Sequence, residues 1–274
     1  MTSLPGEWGI IAHPRSRNEP ETPERPGESN RMHAQDGEGS ALMKTWQKYA
    51  AEVFGTFVLV GIGTGAILGM KQSGEPLIVG VSLAFGLALI TALYSVARVS
   101  GGHFNPVVTL AMFLDRRIGL ADAGGYVVAQ ALGAFLASGA FALIIGRATV
   151  AASATGISPA INEFEGFIVE AVLTLMFVFA ILVLSRSGAH TKFLGMGAAL
   201  AAVHMIGIPF TGASVNPARS FAPALVGDAW GGFWIYLAGP ALGAVVAWAL
   251  YKVIVHGDTD FRDDLSEIKD AMST

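Results

Sequence analysis

Long apolar segments separated by short polar ones dominate the chain. Runs of about 18 to 25 residues, the length that a bilayer-spanning helix requires, recur near 49–70, 77–97, 123–146, 166–184, 193–210 and 232–255. The pattern predicts an all-α membrane protein with six transmembrane helices. Because the number of spans is even, both termini are expected on the same side of the membrane.

Two further apolar runs are too short to cross a bilayer. "PVVTLAMFL" (106–114) and "PARSFAPALV" (217–226) are about ten residues each, and each begins at an Asn-Pro pair. Asn is a favoured N-cap and Pro is well tolerated at the first helical position, so each pair predicts the start of a helix. Two capped helices of a soluble protein are the alternative, but among six spans these runs fit re-entrant half-helices.

The chain consists of two related halves. "AAEVFGTFVLV" (50–60) resembles "IVEAVLTLMFV" (168–178), with a Glu four residues before a Thr in both. "GGYVVAQALGAFLASG" (124–139) likewise resembles "GGFWIYLAGPALGAVVA" (231–247). Each half reads as span, span, half-helix, span. Because each half has an odd number of spans, the second must enter the membrane inverted, so we expect an inverted repeat whose half-helices enter from opposite faces.

Gly-rich turns, "SGGHF" and "TGASV", precede the two half-helices. Non-helical backbone is tolerated at membrane depth only where it is buried in protein or lines a water-filled cavity. The Asn-Pro pairs start the half-helices near the midplane, so two positive dipole ends are expected to meet there and repel cations. The amides of Asn105 and Asn216 add N–H donors for a passing oxygen. The sequence therefore predicts a path for neutral solutes that excludes protons and other cations.

Composition agrees with a membrane location. The 274 residues are 53% hydrophobic and 14% charged, with a mean hydropathy of +0.55, which is more apolar than an ordinary soluble domain. The formal net charge of −4 gives no sign of a nucleic-acid partner. Cysteine is absent, which excludes disulfides and thiolate metal sites. We find no motif that predicts a cofactor, a metal site or an enzyme.

Lysine and arginine are distributed unevenly between the two faces of the membrane. All but three fall in segments on the side of the termini, which predicts cytoplasmic termini. The three exceptions are Lys71, Arg147 and Arg219. Aromatic residues near the predicted span ends are expected at the membrane interfaces: Trp46, Tyr49, Tyr126, Trp230 and Trp234.

The ends of the chain differ from its apolar part. Residues 1–44 are polar and rich in Pro, Glu and Gly, which predicts a disordered cytoplasmic tail rather than a cleavable signal peptide. Residues 257–274 are polar and mixed in charge, which predicts a cytoplasmic C-terminal tail. The predicted channel domain is 45–256.

The paired motifs "SGGHFNPVVTL" and "SVNPARSFAPAL", set in a six-span inverted repeat, resemble the aquaporin or major intrinsic protein family, water-selective branch. The resemblance implies a passive water channel of the plasma membrane, with a pore in each protomer and usually a homotetramer. It implies that Glu52 and Glu170 hold the re-entrant loops. The pore-lining loop residues that it implies are Gly101, Gly102, His103 and Gly212.

The resemblance also implies an outer constriction formed by Phe85, His204, Ala213 and Arg219. Water-selective members have a similar set, whereas glycerol-conducting members usually have Gly at the His position. A ring with His and Arg offers polar donors but no apolar wall for a carbon backbone. Ser220 and Ala224 also match the water-selective pattern.

Three residues depart from the family pattern. Val107 replaces the usual Ala, Ala213 is smaller than the usual Thr or Cys, and Leu237 stands where water-selective members often have Trp. The alternative function, a facilitator of small neutral solutes such as glycerol, ammonia or hydrogen peroxide, is therefore also consistent with the sequence.

A secondary transporter would need more ionisable groups than the spans offer. A structural or junction role is also consistent with the sequence.

Overall fold

The computed structural model describes residues 45–74 and 77–256, so the predicted tails 1–44 and 257–274 lie outside the described residues. The described residues form nine α-helices and a final π-helical turn, Lys252–His256. The helices are α1 (Thr45–Ser73), α2 (Leu77–Ser100), α3 (Pro106–Leu114), α4 (Leu120–Ile145), α5 (Arg147–Ala151), α6 (Glu163–Ser185), α7 (Lys192–Thr211), α8 (Pro217–Gly227) and α9 (Ile235–Tyr251).

The helices match the predicted span pattern. Among the described residues, six helices are long and apolar enough to cross a membrane: α1, α2, α4, α6, α7 and, with its π-helical extension, α9. Helices α3 and α8 have only 9 and 11 residues and are the two predicted half-helices. The all-α membrane fold with six spans and two half-helices is therefore confirmed.

Both half-helices start as their Asn-Pro pairs predict. The Asn105 side chain accepts from the Val107 backbone N–H at 3.0 Å, and Pro106 is the first helical residue. The Asn216 side chain accepts from the N–H of Ala218 at 3.0 Å and of Arg219 at 3.3 Å. Each cap satisfies donors that a helix start leaves free.

The helices pack as an inverted repeat whose halves exchange their half-helices. Helix α1 packs against α2 and α4, and α6 packs in the same way against α7 and α9. Half-helix α3 lies against α9 of the other half, and α8 lies against α4. Helices α2 and α7 also contact each other across the two halves. The half-helices and the contact between α2 and α7 therefore hold the two repeats together.

Glycines allow close helix crossings at equivalent places in the two halves. A Cβ atom on Gly133 of α4 would collide with the backbone carbonyl of Val53 on α1. A Cβ atom on Gly243 of α9 would collide with the carbonyl of Ala171 on α6. Small residues at helix interfaces are typical of membrane proteins, where close backbone packing replaces the hydrophobic effect as the source of association.

Three local features differ from the sequence-based expectations. Helix α6 begins at Glu163 because Asn162 and Glu165 form a reciprocal capping box. The short helix α5 follows Gly146, whose φ of 86° ends α4. Tyr126 is buried and its hydroxyl donates to the Ser100 carbonyl at 2.7 Å, so its prediction as an interfacial aromatic is wrong.

We expect Gly133→Ala to destabilise the fold by about 1–3 kcal/mol, because the added methyl group overpacks the α1–α4 crossing. The measurement is thermal unfolding of the purified protein in detergent. Gly139→Ala is the matched control: it lies on the same helix with no atom within 4 Å of the new Cβ, and alanine favours the helix. Equal unfolding temperatures for the two variants would contradict the assigned crossing.

Candidate pore

A buried carboxylate binds the first re-entrant loop. Glu52 of α1 is fully buried, and its Oε1 accepts from the Ser100 hydroxyl at 2.7 Å and the His103 N–H at 3.0 Å. Its Oε2 accepts from the Phe104 N–H at 2.7 Å and from Gln130 Nε2 at 2.8 Å. All of these groups are donors, so the carboxylate satisfies loop N–H groups that have no helix to bond to.

Glu170 of α6 binds the second loop in the same pattern. Its Oε1 accepts from the Thr211 hydroxyl at 2.7 Å and the Ser214 N–H at 2.8 Å, and its Oε2 accepts from the Val215 N–H at 2.9 Å. Tyr236 repeats the role of Tyr126 by donating to the Thr211 carbonyl at 3.1 Å. The two halves therefore contain equivalent loop-binding networks, which have opposite orientations because the repeat is inverted.

The loops adopt a backbone conformation that side chains disfavour. In the first loop φ is positive at Gly101 (90°), Gly102 (71°) and Phe104 (50°). In the second it is positive at Gly212 (76°), Ala213 (50°) and Val215 (44°). Such residues cost about 1–3 kcal/mol each, and a β-branched valine is a true outlier. Hydrogen bonds to a charged group contribute about 1.5–3 kcal/mol each, enough to offset this strain.

Each asparagine that caps a half-helix also binds the opposite loop. Asn105 Nδ2 donates to the Val215 carbonyl at 2.8 Å, and Asn216 Nδ2 donates to the Phe104 carbonyl at 2.9 Å. These bonds bring the N-termini of α3 and α8 together. An amide carries two N–H groups, so each asparagine keeps a second donor, and both residues line a narrow central cavity.

Three cavities follow one another through the bundle. The central cavity has about 10 Å³ of space for water centres, roughly what a single water needs. It shares His103 with a wide cavity of about 480 Å³ at the end where α4 begins. It shares Arg219 with a second wide cavity of about 380 Å³ beside the loop 152–158. The narrow cavity thus has one of these lining residues in common with each wide cavity.

Phe85, His204 and Arg219 all line the narrow central cavity. The Phe85 and His204 rings stack with centroids 4.4 Å apart, and the Arg219 guanidinium lies 5.2 Å from the Phe85 centroid. All three side chains are buried. Arg219 Nη1 donates to the Ser153 carbonyl at 3.4 Å, which connects it to the loop after α5.

The hydrogen bonding of His204 defines which of its ring nitrogens carries the hydrogen. His204 Nδ1 lies 2.9 Å from the Leu200 carbonyl. A carbonyl oxygen can only accept, so Nδ1 carries the hydrogen, and in the neutral ring Nε2 is then an acceptor. Within the described part of the chain, no protein group bonds to His204 Nε2 or to Arg219 Nε. An acceptor and a donor beside the narrow cavity are thus left without a protein partner among the described residues.

The remaining predicted residues lie in the two loops. Gly101 and His103 line the first wide cavity, and Gly212 lines the second. Gly102 packs so closely on α2 that a Cβ would lie 2.7 Å from Leu93 Cδ2. Ala213 is fully buried against α7 at Gly207 and does not line the narrow cavity, unlike the three other predicted constriction residues.

Sequence reasoning missed Gln130, which is fully buried in α4. Its Nε2 donates to Glu52 Oε2 at 2.8 Å and to Thr109 Oγ1 at 2.9 Å. Thr109 Oγ1 in turn lies 3.0 Å from His103 Nδ1. Gln130 therefore links the buried carboxylate to the half-helix and the pore-lining histidine. A glutamine in an otherwise apolar span was the signal that could have found it.

None of the three departures from the family pattern lines the narrow cavity. Val107 and Leu237 line a separate apolar groove of about 510 Å³, which is formed by the first turns of both half-helices together with α4 and α9. Neither residue lines the narrow cavity.

The fold and the cavities define a multi-pass membrane protein with two capped half-helices meeting in its interior. A sequence profile described as "Major intrinsic protein" matches residues 40–251. The chain is 41% identical over 208 residues to "Glycerol uptake facilitator protein-like 6" of Lactiplantibacillus plantarum, covering 73% of this chain and 94% of that protein. It is 36% identical over 231 residues to mouse "Aquaporin-4", covering 81% of this chain and 71% of that protein.

A solved structure has the same fold. The aquaglyceroporin from Plasmodium falciparum superimposes with a TM-score of 0.70 at 26% identity, covering 77% of this chain and 97% of that chain. The chain belongs to the major intrinsic protein family of membrane channels, which pass small neutral solutes such as water.

We expect Glu170→Gln to destabilise the protein by about 1–3 kcal/mol, because the new amide NH₂ must face either a loop N–H or the Thr211 hydroxyl and leaves a buried donor unpaired. Thermal unfolding in detergent is the measurement. Glu163→Gln on the same helix is the matched control: Glu163 is exposed and accepts from Trp234 Nε1 at 2.9 Å, which a glutamine oxygen can also do. We expect Glu163→Gln to destabilise the protein by no more than about 1 kcal/mol, through the lost charge at the helix N-terminus. Equal losses would show that the Glu170 carboxylate does not hold the loop.

Proposed function

We propose that the protein is a passive transmembrane water channel that excludes protons and ions. The observation that carries the proposal is the narrow cavity, which shares lining residues with two wide cavities and has room for about one water. Water would enter at His103, pass Asn105 and Asn216, and leave past Arg219, or move in reverse. The driving force is the osmotic gradient.

Proton exclusion follows from the meeting of the two half-helices. Their N-termini carry partial positive charge and face each other through the Asn105–Val215 and Asn216–Phe104 hydrogen bonds. The remaining N–H of each asparagine would donate to the oxygen of a passing water. A water that accepts from both is oriented so that it cannot continue a proton-conducting chain, and cations meet an unfavourable field.

Selection for water over longer solutes is assigned to Phe85, His204 and Arg219. His204 Nε2 and the Arg219 guanidinium offer an acceptor and donors that replace the hydrogen bonds a water loses on entry. Phe85 stacks on His204 and packs against Gly63 of α1, which holds the imidazole in place. Ala213 would contribute through the loop backbone, because its side chain packs toward α7.

The residues behind Arg219 support the same assignment. Ser220 is fully buried, with its hydroxyl 2.6 Å from that of Ser214 and 3.0 Å from that of Thr155. These hydroxyls form a neutral network beneath the constriction. A charged residue at position 220 would be buried there at high cost.

A facilitator of small neutral solutes such as glycerol, ammonia or hydrogen peroxide is the second candidate. A relative named as a glycerol uptake facilitator and a solved aquaglyceroporin favour it.

A secondary transporter is disfavoured. Glu52 and Glu170 of the described spans accept hydrogen bonds from loop groups, which leaves them poorly suited to bind a coupling ion.

We further propose that residues 45–256 form the channel domain and that both termini are cytoplasmic. We also propose that the protein is a homotetramer of the plasma membrane, with one pore in each protomer. The placement of the basic residues supports the orientation, and family resemblance supports the tetramer. We infer transport rather than catalysis, because the relatives named above are channels.

The test is stopped-flow light scattering on proteoliposomes. We expect wild type to raise water permeability strongly and glycerol permeability barely, with water flux independent of proton and sodium gradients. His204→Gly should admit glycerol several-fold faster, because removal of the imidazole widens the ring. Ile206→Gly is the matched control, since Ile206 lies on the same helix, is exposed and does not line the cavity.

Wild-type glycerol permeability as high as that of His204→Gly would favour the small-solute facilitator instead. An increase in Ile206→Gly equal to that in His204→Gly would assign the effect to the weakened helix rather than to the lost imidazole.

A further inference from the structure

The apolar groove that contains Val107 and Leu237, here called the midplane groove, lies on the symmetry axis of the repeat. Its lining residues form equivalent pairs in the two halves: Pro106 with Pro217, Val107 with Ala218, and Val127 with Leu237. In an inverted repeat, equivalent positions lie at opposite depths about the membrane centre. A groove lined by such pairs is therefore centred at mid-depth, in the hydrocarbon core.

The chemistry of the groove excludes water as its occupant. Every residue that lines it is apolar. A buried water needs two to four polar partners, so the groove would stay dry. Its volume of about 510 Å³ is within the range of pockets that bind small molecules. If it were empty, the lining atoms would lose dispersion contacts on one side.

The surroundings of the groove indicate what fills it. On α4 its neighbour Val128 is 69% exposed, and on α9 its neighbour Leu242 is 44% exposed, so both flanks present apolar side chains to lipid. Near one end, Phe233 packs against Trp230 with ring centroids 5.1 Å apart. Trp230 is partly exposed, as residues at the membrane interface are. The groove thus extends from an interfacial aromatic cluster toward the membrane centre.

We propose that the midplane groove binds one acyl chain of a membrane phospholipid, whose glycerol region lies near Trp230. A hydrocarbon core of about 30 Å gives a chain from one leaflet about 15 Å to reach the centre. From Phe233 in that leaflet the groove runs to mid-depth beside Val107, and this half of the groove matches the path of the chain. A second copy of this chain fits less well, because a single slender chain fills a concave groove between two helices better than a helix face does.

The occupant would support the first turns of both half-helices from outside. Val107 and Ala218 line the groove, while their neighbours Asn105 and Asn216 line the narrow cavity. Acyl-chain structure would therefore influence permeability; this consequence, unlike lipid binding itself, rests on the proposed function.

The experiment uses the full chain reconstituted in vesicles of palmitoyl-oleoyl phosphatidylglycerol, doped with the same lipid carrying a diazirine at the middle of one acyl chain. After photolysis, cross-linked peptides are mapped by mass spectrometry. We expect cross-links concentrated on the groove segments of α3, α4, α8 and α9. Leu237→Trp, which fills the groove, should lower these several-fold, whereas Leu242→Trp on the exposed face of the same helix should not.

A second filling variant, Ala241→Leu, gives the same test if Leu237→Trp does not fold. Cross-links spread evenly over all lipid-facing helices, or unchanged in the filled variants, would overturn the proposal. An absence of groove cross-links together with a changed oligomeric state of Leu237→Trp would also overturn it and assign the groove to contact between copies. Water permeability measured on the same vesicles separates these outcomes from failure of the proposed channel function.

Discussion

The interaction on which the rest of the structure depends is the capture of loop N–H groups by two buried carboxylates. Without Glu52 and Glu170, the non-helical segments before α3 and α8 would place unsatisfied donors at membrane depth, which costs several kcal/mol for each group. Their bonds to the backbone of Phe104 and Val215, at 2.7 and 2.9 Å, hold both residues at positive φ. Only with the loops in that conformation do the half-helices point at each other.

The two halves repeat this design but not every residue. Glu52 accepts an additional bond from Gln130, whereas the equivalent position in α9 is Pro240, which has no side-chain donor. The first loop places a histidine ring against Thr109, and the second places Ser214 against Ser220. The backbone network is thus symmetric, and the side chains that face the cavities are not. The proposed selectivity resides in that asymmetry, with Phe85, His204 and Arg219 grouped at one end.

The six spans and the two half-helices were predictable from the sequence because a local signal marks each of them, whereas the short helix α5 was not predicted. Run length separates spans from half-helices, and an Asn-Pro pair marks a helix start. The exchange of half-helices between repeats was not predictable, since internal similarity does not say which half supplies a neighbour. Tyr126 was misread because an aromatic near a span end can face inward or outward. The Asn105–Val215 hydrogen bond was not predictable, because its acceptor is a backbone carbonyl and every residue has one.

The hydrogen bonds between each asparagine and the opposite loop also constrain how the protein can be made. Asn105 donates to a carbonyl that lies 110 residues later in the chain. Because a chain is synthesised from its N-terminus, this carbonyl is made only after the first three spans, and the first loop lacks its partner until then. Each repeat needs a backbone carbonyl of the other repeat to bind its own asparagine. The two repeats are thus related to each other as the subunits of an antiparallel dimer would be, except that they are covalently joined.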